Sequence, residues 1–423
     1  MEKSIKMCAL TVCRNVGQYV RWLLLGALTG IVVGSVSSLF SWCLVYAANF
    51  RTSHRYTFLL LPLGGLIIIF LYKKLKYEEN KGTDSVIESI HSDISLSPRM
   101  AFLIFVSTVI TIFCGGSVGR EGAALQIGGS LGKTLGDILR FNDKDKRIII
   151  MSGIAAAFST LFGTPMTAAF FAIEVASIGT MYYAALVPCI CAALIAKQMA
   201  VLMGVKEDIF HVADDLPLSV PSGLKVVFLA ACCAAVSILF CLTLQLAHKL
   251  LCHFFKNSYL RIMAGGCLLI LLTFLCGTQD YLGTGISIIE QALDGHAVPY
   301  AFLLKILFTS LTIAAGYRGG EIVPSLFIGA TFGCFLGGLI GLPLSLSAAI
   351  GMVSVFCGGT NCLLASLLIS FELFGFADAY YYLIAIATSH MLSGYFGLYH
   401  TQRITYSKYE NSPIDRLTIH WFK

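Results

Sequence analysis

Apolar residues run through this chain in long, nearly unbroken stretches. Segments 22–45, 58–71, 226–244 and 262–275 approach or reach the ~20 residues that cross the hydrocarbon core of a bilayer. In lipid every backbone polar group must be satisfied internally, so segments this apolar predict membrane-spanning helices. Polar positions gather at the ends of these runs and in two glycine-rich breaks, around residues 115–122 and 316–321.

Composition supports the pattern. Only 12% of the 423 residues are charged and 57% are hydrophobic, whereas soluble domains carry roughly a quarter charged residues. The first stretch, residues 1–21, holds Lys3, Lys6, Arg14 and Arg21 without a small-residue cleavage site, which predicts a retained cytoplasmic segment and no signal peptide. Lys73, Lys74 and Lys76 after the second run fit a return to the cytoplasm. Both termini are therefore expected there, in a multi-pass protein of the cell membrane. The net charge of +6 follows from this topology, and no basic stripe with interleaved aromatics points to nucleic acid. Most of the 15 cysteines sit inside apolar runs as small packing residues, and none forms a zinc-type CxxC pair.

Comparison of the chain with itself shows two similar halves. The segment beginning at Ala101 resembles the one beginning at Ala301, and an offset of 201 aligns Gly115 with Gly316 and Gly119 with Gly320. The same offset maps Gly82 and Thr83 onto Gly283 and Thr284, and Gly128 and Gly132 onto Gly329 and Gly333. Residues 153–174 and 351–372 share their spacing at an offset of 198. One transport domain is expected over 1–423, with a first half at 1–210 and a second at 211–400. Similarity alone leaves open whether the halves run parallel or inverted. With only the short polar tail 401–423 after the second half, no regulatory cytoplasmic domain is expected.

Each half carries its chemistry in its break. Gly115, Gly116, Gly119 and Gly122, and Gly316, Gly319 and Gly320, mark unwound backbone, since glycine costs about 1 kcal/mol relative to alanine inside a helix. An apolar helix follows each break. Free amide N–H groups and the positive dipole end at such a helix start form an anion site that needs no lysine. By contrast, Gly128/Gly132 and Gly329/Gly333 have the spacing of close helix packing. Glu121 and Glu321 open the two apolar stretches, where a charged carboxylate costs ~2.5 to 3.5 kcal/mol on the insertion scale. A carboxyl group beside an anion path can take up a proton, because low polarity disfavours its charged form, and can then occupy or vacate the anion position. The plainer alternative makes Glu121 a partner for Arg120. Glu174 and Glu372 end two repeat-related helices and read equally well as interfacial carboxylates. A GxSxG match at 115–119 lacks the strand-to-helix elbow of a hydrolase, and no nucleophile and base stand at a plausible spacing, so enzyme chemistry is not expected. No cofactor motif is present either.

These residues resemble the CLC family of chloride channels and proton-coupled anion exchangers. Gly119-Arg120-Glu121-Gly122-Ala123 is similar to its GREGP signature, and Gln126-Ile127-Gly128 matches the sequence that follows. Gly82-Thr83 resembles the start of the family's GSGIP element, Ser159 to Glu174 the helix pair after the gating motif, and Phe371 to Gly375 the corresponding second-half ending. The resemblance covers about 21–402. It implies an all-α polytopic membrane protein of two inverted repeats with broken re-entrant helices. It also implies a homodimer with a separate pathway in each subunit, a gating role for Glu121, and a tyrosine at the anion site, either Tyr395 or Tyr399. Val175 stands where chloride/proton exchangers carry a second, proton-receiving glutamate, which alone suggests a passive channel. The second-half motif, however, reads Gly319-Gly320-Glu321-Ile322-Val323-Pro324, and a glutamate there resembles the fluoride/proton antiporter branch, with Glu321 serving proton coupling. Ala123 departs from the usual proline and Val323 from that branch's threonine. The resulting expectation is proton-coupled fluoride export at a site made by Gly119, Arg120, Gly122 and Ala123, by Gly320 and Ile322, and by the hydroxyls of Thr83 and Tyr395. A chloride/proton exchanger and a passive chloride or fluoride channel remain alternatives.

Overall fold

The computed structural model describes residues 2–77, 82–92, 96–206, 210, 212 and 216–419. The side chain of Lys3 and residues 420–423 of the tail lie outside the described residues. The first half comprises α1 (Glu2–Ser53), α2 (Leu61–Lys74), α3 (Thr83–His91), α4 (Pro98–Phe113), α5 (Glu121–Ile138), α6 (Asp143–Phe162), α7 (Pro165–Glu174) and α8 (Leu186–Leu202). The second half comprises α9 (Val220–Phe254), α10 (Ser258–Cys276), α11 (Ile286–Leu293), α12 (Ala301–Ala315), α13 (Ile322–Ile340), α14 (Leu344–Thr360), α15 (Leu363–Phe374) and α16 (Ala379–Leu392). Six helical spans among the described residues are long and apolar enough to cross a membrane on their own. The short helices, such as α3, α7, α11 and α15, are each under ~20 residues and reach only part of the way. Their ends must therefore be satisfied by protein.

Helix ends use local chemistry where the sequence supplies it. Ser97 caps α4 by accepting from Arg99 N, Asn142 caps α6 by accepting from Asp145 N, and Ser219 caps α9 by accepting from Ser222 N. The buried ends of α7 and α15 use long-range caps instead. Glu174 at the end of α7 accepts from Leu364 N (3.1 Å) and Ala365 N (3.0 Å) at the start of α15. Reciprocally, Glu372 near the end of α15 accepts from Met166 N (2.9 Å) and Thr167 N (2.8 Å) at the start of α7. Two helices that cap each other in this way run antiparallel.

The GxxxG glycines hold the helices of each half together. A Cβ on Gly128 would overlap the carbonyl oxygen of Gly153, and one on Gly132 that of Ile149, so α5 and α6 touch backbone to backbone. Gly329 against Gly351 and Gly333 against Ser347 repeat the contact between α13 and α14. The tail departs from the all-helical expectation. Here β1 (Ser177–Ile178) pairs in parallel with β2 (Arg403–Tyr406), which pairs antiparallel with β3 (Pro413–Leu417). This three-stranded sheet ties the tail to the segment after α7.

Candidate functional site

The two breaks meet at one point. Gly119 N donates to Gly320 O at 2.7 Å and Gly320 N donates to Gly119 O at 2.8 Å, an antiparallel bridge between repeat-related glycines. The approach requires glycine, since a Cβ on Gly122 would lie 2.7 Å from the Cα of Gly320. Gly119 and Gly320, both expected in the anion site, therefore have their N–H groups taken up by each other's carbonyl oxygens. Helix geometry leaves the amides of Gly122, Ala123 and Ile322 without intrahelical acceptors, because they occupy the first turns of α5 and α13.

Beside this bridge lies a cavity of about 100 Å³. Its polar lining includes Thr83 and Asp84 at the start of α3, Gln126 one turn into α5, Arg318 and Glu321 from the second break, and Tyr399 from the segment after α16, while the hydroxyl of Tyr317, also in the lining, is spent on Leu61 O. Gln126 Oε1, Glu321 Oε2 and Tyr399 Oη are buried oxygens of this lining that meet no protein partner. Such atoms ordinarily cost about 1 to 3 kcal/mol each, so their convergence on one cavity marks it as built for a polar occupant. Asp84 accepts from His400 N (2.7 Å) and Thr401 N (3.2 Å), which fixes the backbone directly after Tyr399. From the other side Thr418 Oγ1 donates to Tyr399 O at 2.7 Å.

Glu121 is fully buried next to the bridge and does not line the cavity. Its carboxylate folds back on its own helix start, accepting from Arg120 N (3.0 Å) and Arg120 Nε (3.2 Å), while Arg120 Nη2 donates to Leu161 O (3.1 Å). The partnership with Arg120 raised as the plainer alternative is thus real, and the Arg120 guanidinium faces Glu121, away from the cavity. Glu121 and Glu321 nevertheless flank the same bridge: Glu321 Oε2 would lie 3.5 Å from a Cβ on Gly122, and Glu121 Oε2 2.8 Å from one on Gly119.

Tyr395 is placed elsewhere. Its hydroxyl pairs with Ser407 Oγ at 2.9 Å and accepts from Lys408 N at 3.2 Å, and Arg416 lies over its ring at 4.1 Å. It belongs to the packing of the tail sheet with Ile178 and Ile404. The tyrosine at the cavity is Tyr399, four positions on. A left-handed Gly394 (φ 58°) turns the chain just before Tyr395, and Leu398 N then bonds Gly359 O, so the two tyrosines face different surroundings. Sequence reasoning also passed over Asp84 and Arg318, and treated Gln126 only as part of a motif. Asp84 and Arg318 are charged residues within two or three positions of Gly82 and Glu321, and that proximity is the signal that could have found them.

Apolar helices of spanning length, two glycine breaks that meet in a bridge and a polar cavity beside it are the features of a multi-pass membrane protein that passes a small anion. A family model described as voltage gated chloride channel matches residues 64–394, and the chain belongs to that CLC family. A "chloride/fluoride channel protein" of Pseudomonas syringae pv. tomato is 35% identical over 92% of this chain and 88% of its own length. The crystal structure of a CLC-type fluoride/proton antiporter superposes with a TM-score of 0.87 at 31% identity, covering 91% of this chain and 98% of that one. An H(+)/Cl(−) exchange transporter of Vibrio cholerae is 28% identical over 52% of this chain and 49% of its own length. A slow cyanobacterial Cl−/H+ antiporter has the same fold, with a TM-score of 0.76 at 16% identity over 88% of this chain and 94% of that one.

Proposed function

We propose that this protein exports fluoride in exchange for protons. The observation that carries the reading is the unpartnered Oε2 of Glu321 in a cavity that also holds the Thr83 hydroxyl and the unpartnered Tyr399 hydroxyl. Fluoride is small and strongly hydrated, so stripping its water needs concentrated hydrogen-bond donors. Two hydroxyls and a protonated carboxylic acid supply them, and the charge-assisted bonds so formed are about twice as strong as neutral ones. The amides of Gly122, Ala123 and Ile322 add positive potential from the two helix starts. Glu121 is the gate: when protonated it releases Arg120, leaves its folded-back position and moves its proton as fluoride passes the other way. An inward proton gradient then expels fluoride. The protein works as a homodimer in the cell membrane, each subunit with its own pathway.

The experiment uses purified protein in liposomes loaded with fluoride, read by a fluoride electrode outside. An inside-alkaline pH gradient should speed fluoride efflux, and efflux should alkalinise the outside in step with the fluoride counted. Fluoride leaving without proton movement would reject exchange and favour a passive channel, the reading suggested by Val175 at the end of α7 and by the channel name that the Pseudomonas relative bears. Chloride that displaces fluoride equally well would favour a chloride/proton exchanger.

A further inference from the structure

We infer that Gln126 is a positioning residue of this site: its side-chain amide turns the Thr83 hydroxyl toward the anion. The inference deepens the proposed exchange and rests on the same cavity. Gln126 is 2% exposed and lies one turn along α5 from Gly122. Its Nε2 is 3.2 Å from Gly122 O and 3.4 Å from Thr83 Oγ1, so each of its two N–H bonds has an acceptor. The orientation of the amide is fixed by chemistry: Gly122 O can only accept, so the nitrogen must face it.

The consequence falls on Thr83. A hydroxyl has one proton, and an oxygen that accepts from Gln126 keeps that proton for another partner. The nearest alternative, Gly122 O, is 3.5 Å from Thr83 Oγ1, too far to compete with an anion in the cavity. Gln126 therefore presents Thr83 as a donor. At its other end Oε1 is buried and meets no protein donor. An acceptor oxygen repels a halide and attracts a proton. The side of the amide turned to Thr83 is the donor side, and it is through that hydroxyl that Gln126 acts on the anion.

The test is a binding titration of the full-length protein in detergent with sodium fluoride and sodium chloride, comparing Gln126→Met, Thr83→Val and the double variant; Gln126→Leu serves if Gln126→Met is not monodisperse. Gln126→Met should weaken fluoride binding about tenfold, equivalent to ~1.4 kcal/mol. Thr83→Val should weaken it similarly, and the double variant should be no weaker than the singles, because both remove the same hydroxyl contact. Chloride affinity should change by less than about threefold, since chloride gains less from a single short hydrogen bond. Losses that add in the double variant, or that are equal for the two halides, would overturn the role of Gln126. So would a wild-type protein that binds no fluoride. The titration does not depend on proton flux, so a cycle that behaves as expected beside uncoupled flux in liposomes would reject exchange alone and leave the role of Gln126 standing.

Discussion

Two carboxylates flank one glycine bridge, and their surroundings predict different consequences of the same substitution. Glu121 is tied to Arg120, which is itself 6% exposed and shares its guanidinium with Leu161 O. Glu121→Gln keeps the shape and an acceptor oxygen, so the protein should fold, lose proton coupling and pass anion slowly or trap it. Glu121→Ala should cost more, toward the lower end of the about 3 to 5 kcal/mol lost when one partner of a buried ion pair is removed, because Leu161 O still holds Arg120. Thermal unfolding in detergent should rank wild type above Glu121→Gln and Glu121→Gln above Glu121→Ala, and an alanine variant with the wild-type midpoint would show that the pair contributes little. Glu321 Oε2 has no protein partner to lose. Glu321→Gln should therefore leave the protein folded and as stable as wild type while lowering proton-coupled fluoride flux by about tenfold or more, in the same liposome assay. Wild-type exchange in that variant would move the reading toward a channel. Glu121 and Glu321 were visible in the sequence because charge is expensive at membrane depth. Tyr399 was not separable from Tyr395, since both follow a glycine by one or two positions and only the turn at Gly394 decides which faces the cavity.

At the scale of elements, short helices whose ends lie within the protein need partners for their first amides, and the fold meets this need across the repeat boundary. Glu174 and Glu372 cap each other's helices, which is why carboxylates stand at matching positions in both halves. Replacing Glu174 by Ala leaves Leu364 N and Ala365 N without an acceptor and should cost about 1 to 3 kcal/mol. Glu372→Ala should cost less, since Met166 is exposed to 45% and its amide is the more open to solvent of the pair. Unfolding midpoints in detergent would check the order, and a Glu372→Ala protein less stable than Glu174→Ala would refute it. The paired carboxylates were legible as a repeat feature, but not as caps, because a capping contact between residues some 190 to 206 positions apart has no local signature. The tail sheet was missed for a related reason. Strands of two to five residues carry too little alternation to be read, and their pairing spans 177–178 to 403–404. Its importance to the site comes from Asp84, which grips the backbone after Tyr399.

For the whole molecule, the repeat and the distribution of charge together give an expected orientation in the membrane. The junction between α5 and α6 and the first turns of α6 carry Arg140, Asp143, Lys144, Asp145, Lys146 and Arg147, whereas the repeat-related segment, the junction after α13 and the first turns of α14, has no charged residue. Parallel halves would give both junctions the same side and the same pressure for basic residues. One basic and one uncharged junction is what inversion produces under the positive-inside rule. The antiparallel Gly119–Gly320 bridge agrees with that inversion, which similarity between the halves had left undecided. Arg21 pairs with Asp145 at 2.7 Å, so the point where α1 becomes apolar lies on the basic side too. α1 has 52 residues and is therefore ~78 Å long, against a hydrocarbon core of about 30 Å. Its first 20 or so residues, with Lys6 and Arg14 and the exposed thiols of Cys8 and Cys13, must project beyond the lipid. We expect both ends of the chain in the cytoplasm. A membrane-impermeant maleimide should label Cys8 and Cys13 in inside-out vesicles and leave them unlabelled in intact cells, with a Cys8→Ser/Cys13→Ser variant setting the background from the remaining thiols. Equal labelling from outside intact cells would place the N-terminal segment on the wrong face, and with it the direction in which a proton gradient drives the anion.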